Sequence, residues 1–198
     1  MVTSSRLAEN GSKVSVPDPQ NPSNRRSNIV LIGLPGVGKT SVGRGAASLL
    51  NRPFIDFDTE IEHREHASVA EIFARRGEPY FRSLEESLSG ELARSSGMVM
   101  APGGGWVTNE AAVALLRPTA SIVYLRATPR TVLSRLGLGR VRRPLLEGPD
   151  PLGRLTELYH ARRSRYEAAD LVLDTEVIDK TEVIEQVRQF ALSLGQDG

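Results

Sequence analysis

The sequence of 198 residues contains no cysteine, which excludes disulfide bonds and thiolate metal sites and leaves the redox compartment open. It also lacks an excess of charge of one sign. Its 25 basic and 24 acidic residues give a formal net charge of +1, which offers no general reason to expect binding to nucleic acid or to a membrane surface. No apolar run approaches the length of a membrane span. We therefore expect a cytoplasmic protein that binds neither nucleic acid nor membrane.

The remaining composition is that of an ordinary globular protein, with 39% hydrophobic and 25% charged residues. Residues 1–27 differ from the rest, because they are rich in Ser and Asn, include three prolines and show no helical or strand period. This segment also lacks the apolar stretch of a secretory signal. We expect residues 1–27 to be a disordered polar tail and residues 28–194 to form one domain.

Residues 33–40 read Gly-Leu-Pro-Gly-Val-Gly-Lys-Thr and match the phosphate-binding pattern G-x-x-x-x-G-K-[ST] at every fixed position. An apolar run precedes them at 29–32, and an amphipathic stretch follows at 41–50, which is the strand–loop–helix context that the motif requires. In such a loop the backbone N–H groups surround a phosphate, Lys39 reaches the β- and γ-phosphates, and the Thr40 hydroxyl is available to Mg²⁺. The pattern predicts a nucleoside triphosphate site.

Short apolar runs alternate with helical patterns along the rest of the chain. Such runs without polar alternation indicate a parallel sheet covered by helices on both faces, an α/β fold of three layers. The five candidate strands are Asn28–Ile32 and residues 53–55, 97–101, 121–125 and 171–173. Because ligands bind at the carboxyl ends of parallel strands, we expect the chemistry just after residues 32, 55, 101 and 125.

Residues 136–150 contain glycines, prolines and three arginines, Arg140, Arg142 and Arg143. A mobile loop rich in arginine is typical of a lid that closes over a transferring phosphoryl group. An ordinary solvated basic loop is the alternative, and the phosphate-binding motif in the same chain favours the lid.

Two carboxylates, Asp56 and Asp58, follow the second predicted strand, whereas the third strand is followed by Pro102 and the glycines 103–105 with no acid. One carboxylate can hold Mg²⁺ through water, and the other can accept a proton from an attacking hydroxyl. The alternative is a pair of exposed acids that lead into a helix at 59–65. The expected position beside the phosphate loop favours the functional interpretation.

Three further features have both a functional and a structural interpretation. The triplet Gly103-Gly104-Gly105 allows close approach to the backbone, or it is a flexible loop. Arg82 and Glu85 share a helix face, so the carboxylate can fix an arginine that binds a substrate carboxylate, but a surface pair is equally favoured. Arg162 has the same ambiguity. Trp106 is expected to pack in the core.

Taken in order, these motifs resemble the shikimate kinase family of P-loop enzymes. The resemblance extends from residue 29 to about residue 174. Its motifs are residues 33–41 with Gly43-Arg44, Asp56-Phe57-Asp58 with 60–62, Ile72-Phe73, Gly77-Glu78, 81–86, 103–105, 123–125, 143–146, and Arg162 with Tyr166.

The resemblance implies transfer of the ATP γ-phosphoryl group to the 3-hydroxyl of shikimate, with Mg²⁺ as the metal and ATP and shikimate as the small-molecule partners of a monomer. The implied nucleotide-binding residues are Gly36, Val37, Gly38, Lys39, Thr40, Ser41, Arg135 and Arg143. Among them, Lys39 and Arg143 would also be catalytic. Thr40 and Asp56 would hold the metal.

The resemblance likewise implies a substrate-binding segment at about 56–86. In it, Asp58 would hold the ring hydroxyls and act as base for the attacking one. Arg82 and Arg162 would bind the substrate carboxylate, and the backbone of Gly103, Gly104 and Gly105 would contact the substrate. Pro102 and Trp106 depart from the smaller residues expected beside the triplet, which leaves the shape of the pocket open.

Two other functions are compatible with parts of the pattern. One is a kinase for another small hydroxy acid or sugar such as gluconate, and the other is a non-catalytic domain that senses a ligand. The combination of Arg82, Glu85, Arg162 and the glycine triplet favours a carboxylated substrate with several hydroxyls. The presence of Lys39, Asp58 and Arg143 favours catalysis, since a sensor could dispense with the base.

Overall fold

The structure, a computed structural model, describes residues 27–136 and 149–194. The predicted tail, except for its last residue, and most of the predicted lid lie outside the described residues. Arg143 lies outside them as well.

Five parallel strands form one sheet, as the apolar runs predict, and their order in the sheet is β2-β3-β1-β4-β5. Strand β1 is central and buried along its whole length, which explains why it carries no polar alternation. The strands are β1 Asn28–Ile32, β2 Phe54–Asp56, β3 Val99–Ala101, β4 Ala120–Arg126 and β5 Leu171–Asp174. The predicted fold class is confirmed, the bounds of β1 agree with the prediction, and the ends of the other strands differ from it by at most two residues.

Helices connect the strands and pack in pairs, α1 with α7, α3 with α4, and α5 with α6. A short 3₁₀ helix, Trp106–Thr108, follows β3. The described helices are α1 Lys39–Leu50, α2 Phe57–Glu65, α3 Val69–Leu92, α4 Glu110–Leu116, α5 Pro129–Leu136, α6 Pro151–Glu167 and α7 Lys180–Ser193. Within the ranges that the structure describes, no helix has the length and apolar character needed to cross a membrane.

Helix α3 is interrupted at Gly77, whose φ of 79° lies in the left-handed region that favours glycine. The chain resumes a helical path at Glu78 and Pro79, and proline suits the first turn of a helix because its missing N–H would have no partner there. The interruption turns the second half of α3, which carries Arg82 and Glu85, in a new direction.

The core lies between the sheet and the helices, and it includes a buried tryptophan and a stacked pair of tyrosines close to the glycine triplet. Trp106 is fully buried, as predicted, and its indole N–H donates to Ser89 Oγ at 3.0 Å. Tyr124 of β4 and Tyr166 of α6 stack with ring centroids 5.0 Å apart and an interplanar angle of 15°. These contacts fix the 3₁₀ helix that follows the glycine triplet to α3, and they fix α6 to β4.

Candidate active site

The loop between β1 and α1 has the backbone of an anion-binding site. Gly36 and Gly38 have φ values of 93° and 108°, which glycine adopts without strain, and Gly38 is the residue at which α1 begins. The N-terminus of α1 has no side-chain cap and no acid in its first turn, so its backbone N–H groups and partial positive charge are available to a ligand. Lys39 Nζ donates to the Gly33 carbonyl at 3.2 Å, which holds the ammonium over the loop.

Thr40 and Asp56 meet where α1 begins and β2 ends. Thr40 Oγ1 donates to Asp56 Oδ2 at 2.6 Å, while Asp56 Oδ1 accepts from the Thr59 backbone N–H at 3.3 Å and caps α2. The described residues include no group of three or more His, Asp or Glu side chains that could enclose a metal. This donor set of a hydroxyl and one carboxylate fits a Mg²⁺ ion that takes its other ligands from phosphates and water.

Asp58 lies in the first turn of α2, against the end of β3. A Cβ atom at Gly103 would lie 2.8 Å from Asp58 Oδ1 and 3.4 Å from Glu85 Oε1. The missing side chain at Gly103 therefore lets α2, α3 and the glycine triplet converge. Two carboxylates and a stretch of open backbone share this corner, which lies at the same end of the sheet as the phosphate loop.

Arg82 and Glu85 form a buried pair, not a surface pair. Arg82 Nη1 donates to Glu85 Oε2 at 2.7 Å, and the Glu85 side chain is fully buried. Burial raises the pKa of Glu85 to about 7, against the lowering effect of Arg82 and with a smaller raising effect from Asp58. Glu85 Oε1 accepts no hydrogen bond from any residue that the structure describes. The pair thus holds one guanidinium in a fixed place beside a carboxylate that is easily protonated.

Gly104 and Gly105 bring the backbone against both arginines. Arg162, which is 9% exposed, donates from Nη1 to the Gly104 carbonyl at 3.0 Å. A Cβ atom at Gly105 would lie 2.8 Å from Arg82 Nη1 and 2.9 Å from Arg82 Cζ, so only glycine leaves the guanidinium in place. The turn 103–105 is therefore lined by Asp58 at one end and by two guanidinium groups at the other.

The predicted nucleotide residue Arg135 lies apart from this corner. Its Nη1 donates to Thr175 Oγ1 at 2.7 Å, and its Nη2 also donates to the Thr175 carbonyl. These bonds attach the end of α5 to the segment that follows β5. Leu136, the next residue, packs against the phosphate loop at Gly36.

Two side chains that the sequence motifs include, but to which no role was assigned, contact the predicted site residues. Glu78 accepts from Arg82 Nη2 at 2.6 Å and from Nε at 3.1 Å, and the Tyr166 hydroxyl donates to the Gly104 carbonyl at 2.9 Å. Each lies four residues from a predicted arginine on the same helix. Residues at that spacing are neighbours on a helix surface, so the sequence could have indicated both contacts. Beside Arg82 an open cleft of about 550 Å³ is lined by Glu78, Pro79, Arg82, Thr108, Asn109 and Glu110.

The parallel α/β sheet and the phosphate loop ending in Lys-Thr define a P-loop protein. Carboxylates at the end of β2, together with the half-buried Arg82 and the buried Arg162 beside the open backbone of the glycine turn, make it a phosphotransferase that acts on a small molecule, a P-loop kinase.

The chain belongs to the shikimate kinase family, whose model matches residues 35–192. It is 42% identical over 173 residues to a shikimate kinase from Symbiobacterium thermophilum, and the match covers 86% of this chain and 99% of that protein. The structure resembles that of shikimate kinase from Acinetobacter baumannii in complex with shikimate, with a TM-score of 0.78, 34% identity, and coverage of 87% of this chain and 98% of that one. The predicted family resemblance is confirmed.

A gluconokinase from Sinorhizobium meliloti has a TM-score of 0.57 at 17% identity, over 87% of this chain and 97% of that one. At this level of identity the likeness shows a shared fold alone.

Proposed function

We propose that this enzyme transfers the γ-phosphoryl group of ATP to the 3-hydroxyl of shikimate, giving shikimate 3-phosphate and ADP on the route to chorismate and the aromatic amino acids. The proposal rests on the close grouping of Asp58, the Arg82–Glu85 pair, Arg162 and the glycine turn 103–105, which we call the acceptor corner. Its two guanidinium groups could bind a substrate carboxylate, and Asp58 could accept a proton from a substrate hydroxyl. Both lie at the same end of the sheet as the phosphate loop. A ring acid with several hydroxyls fits that combination.

On the nucleotide side, the backbone of residues 36–41 would surround the phosphates, and Lys39 would neutralise charge that develops on the transferring group. Thr40 and Asp56 would hold Mg²⁺, Asp56 through water. When bound, Mg²⁺ would supply positive charge that stabilises the negative charge of the transferring group. Arg135 would lie along the nucleotide, and Arg143 would reach the phosphates from the lid.

On the acceptor side, Arg82 and Arg162 would bind the carboxylate and so orient the ring, while Gly104 would donate a backbone hydrogen bond to a hydroxyl. Asp58 would accept the proton of the attacking hydroxyl as it approaches the γ-phosphorus. Phosphoryl transfer demands little covalent chemistry from the protein, so positioning and charge neutralisation supply most of the rate. A monomeric state and a cytoplasmic location stay predictions.

A substrate panel in a coupled assay of ADP release tests the proposal. Shikimate is expected to give the highest kcat/KM, and gluconate should be turned over at least about a hundredfold less efficiently, since it cannot place both a carboxylate and a ring hydroxyl in this corner. Comparable or faster turnover of gluconate would overturn the assignment. Tight binding of shikimate without ADP release would instead favour the ligand-sensing alternative.

The metal assignment predicts a specific defect for Asp56→Asn. The amide keeps the size of the side chain but loses the charge that orients water around Mg²⁺, so the Mg²⁺ concentration for half-maximal activity should rise about 10- to 100-fold. Saturating Mg²⁺ should restore most of kcat. The measurement is a Mg²⁺ titration at fixed ATP and shikimate after chelation with EDTA. An unchanged Mg²⁺ requirement would remove Asp56 from the metal site.

Gly105→Ala is expected to raise the KM for shikimate by about tenfold or more while leaving the KM for ATP unchanged. The backbone of Gly105 (φ −90°, ψ −13°) accepts alanine, so the effect arises from the Cβ atom, which displaces the Arg82 guanidinium. The matched control is Gly90→Ala within α3, where the Cβ atom meets only Leu115 at 3.6 Å. The control should keep normal kinetics and unfold at a slightly higher temperature. Equal kinetics in the two variants would contradict the arrangement.

A further inference from the structure

The Gly104 carbonyl oxygen accepts two hydrogen bonds from one helix. Arg162 Nη1 donates at 3.0 Å and the Tyr166 hydroxyl at 2.9 Å, from positions one turn apart on α6. A carbonyl oxygen has two lone pairs, so both donors can be accommodated at once. The peptide between Gly104 and Gly105 is thus held from the side of α6 by two independent groups.

Tyr166 is the more rigid of the two donors. Its side chain is fully buried and stacks on Tyr124, which belongs to β4 inside the sheet. Burial raises the pKa of Tyr166, so its hydroxyl keeps its proton and remains a donor. Arg162 is a longer side chain with five N–H groups, and it can redirect them toward a bound anion.

A fixed carbonyl also fixes the N–H on the other side of the same peptide. In a planar trans peptide the C=O of Gly104 and the N–H of Gly105 point in opposite directions. Holding the carbonyl toward α6 therefore aims the Gly105 N–H away from α6. A Cβ atom at Gly105 would lie 2.8 Å from Arg82 Nη1, so the backbone of Gly105 lies beside the guanidinium that is proposed to bind the substrate carboxylate.

We propose that Tyr166 is a positioning residue for the acceptor substrate: its hydroxyl keeps the Gly104–Gly105 peptide in its binding orientation when Arg162 turns to the substrate carboxylate. This inference rests on the proposed function. In the free enzyme Arg162 and Tyr166 share the carbonyl, and either one satisfies it. In the complex, Arg162 divides its donors between the carbonyl and the anion, and Tyr166 becomes the main support of the turn.

The test is Tyr166→Phe, which removes one hydroxyl and keeps the stacked ring. Because Arg162 still satisfies the carbonyl in the free variant, its unfolding temperature should stay close to that of the wild type. The Kd and the KM for shikimate should rise about three- to tenfold, the usual effect of one hydrogen bond. The Kd for ADP and the KM for ATP should not change. Calorimetric titration with shikimate and with ADP, together with steady-state kinetics, supplies these values.

Tyr124→Phe is the matched control, because it removes a hydroxyl from the same stacked pair without touching Gly104. It should leave the shikimate and ADP constants unchanged. The inference is overturned by an unchanged shikimate Kd in Tyr166→Phe, by an equal loss of ADP affinity, or by the same shikimate defect in the control. Wild-type enzyme that fails to phosphorylate shikimate would overturn the proposed function itself, which separates the two failures.

Discussion

Asp58→Asn is expected to lower kcat by about a hundredfold or more, the usual size of a general-base effect, while ADP binds as tightly as before. Asparagine keeps the shape of the side chain beside Gly103 but cannot take up the proton that the attacking hydroxyl releases. The phosphate loop connects β1 to α1, and α1 carries Lys39 and Thr40, so nucleotide binding is not expected to depend on this carboxylate of α2. Single-turnover kinetics and ADP titration measure the two quantities separately.

The matched control for this variant is Glu60→Gln on the same helix. Glu60 accepts a hydrogen bond from Arg64 Nε at 2.6 Å within α2, in a pair that is partly open to solvent. It should keep normal kcat, because exposed pairs of this kind contribute little. Asp58→Asn with a kcat within a few fold of the wild type would show that another group, or no group, accepts the proton.

Arg82→Met is expected to raise the KM for shikimate about 10- to 100-fold, since a charge-assisted bond to the substrate carboxylate is lost. The KM for ATP should stay the same. The variant has a second consequence, because it leaves the buried Glu85 carboxylate without its cation. Breaking a buried pair in this way typically costs about 3–5 kcal/mol of stability, less the part that protonation of the partner recovers. Reduced activity of Arg82→Met alone would therefore not show whether the variant binds shikimate more weakly or is less stably folded.

The double variant Arg82→Met/Glu85→Gln separates the two effects. Glutamine removes the buried charge, so the double variant should regain much of the stability that the single variant loses in thermal unfolding. Its KM for shikimate should stay as high as in Arg82→Met, because the guanidinium is still missing. Recovery of both stability and KM would mean that Arg82 acts only as a structural partner of Glu85.

The sequence predicts most of the fold because its three inner strands, β3, β1 and β4, are buried on both faces and therefore appear as uninterrupted apolar runs. The phosphate loop is equally predictable from the sequence, since its function depends on backbone geometry that only glycines allow. The contact between Thr40 and Asp56 follows from the same logic, because the ends of parallel strands meet at one edge of the sheet.

The acceptor corner was less predictable, since its character depends on contacts between distant segments. Spacing places Arg82 and Glu85 on one face but does not tell a buried pair from a surface pair, and burial is what raises the pKa of Glu85. The contact between Gly105 and the Arg82 guanidinium depends on how the segment after β3 packs against α3, which residue spacing alone does not give. Tyr166 resembles any core aromatic until its hydroxyl is seen at Gly104. The lid prediction concerns residues outside those that the structure describes.

The most direct test of the whole account is a crystal structure of the enzyme with ADP, Mg²⁺ and shikimate. The ring acid is expected between Asp58 and the glycine turn, with its carboxylate on Arg82 and Arg162 and its 3-hydroxyl on Asp58, facing the phosphate loop. Shikimate bound away from Asp58, or turned so that its carboxylate meets neither arginine, would contradict it.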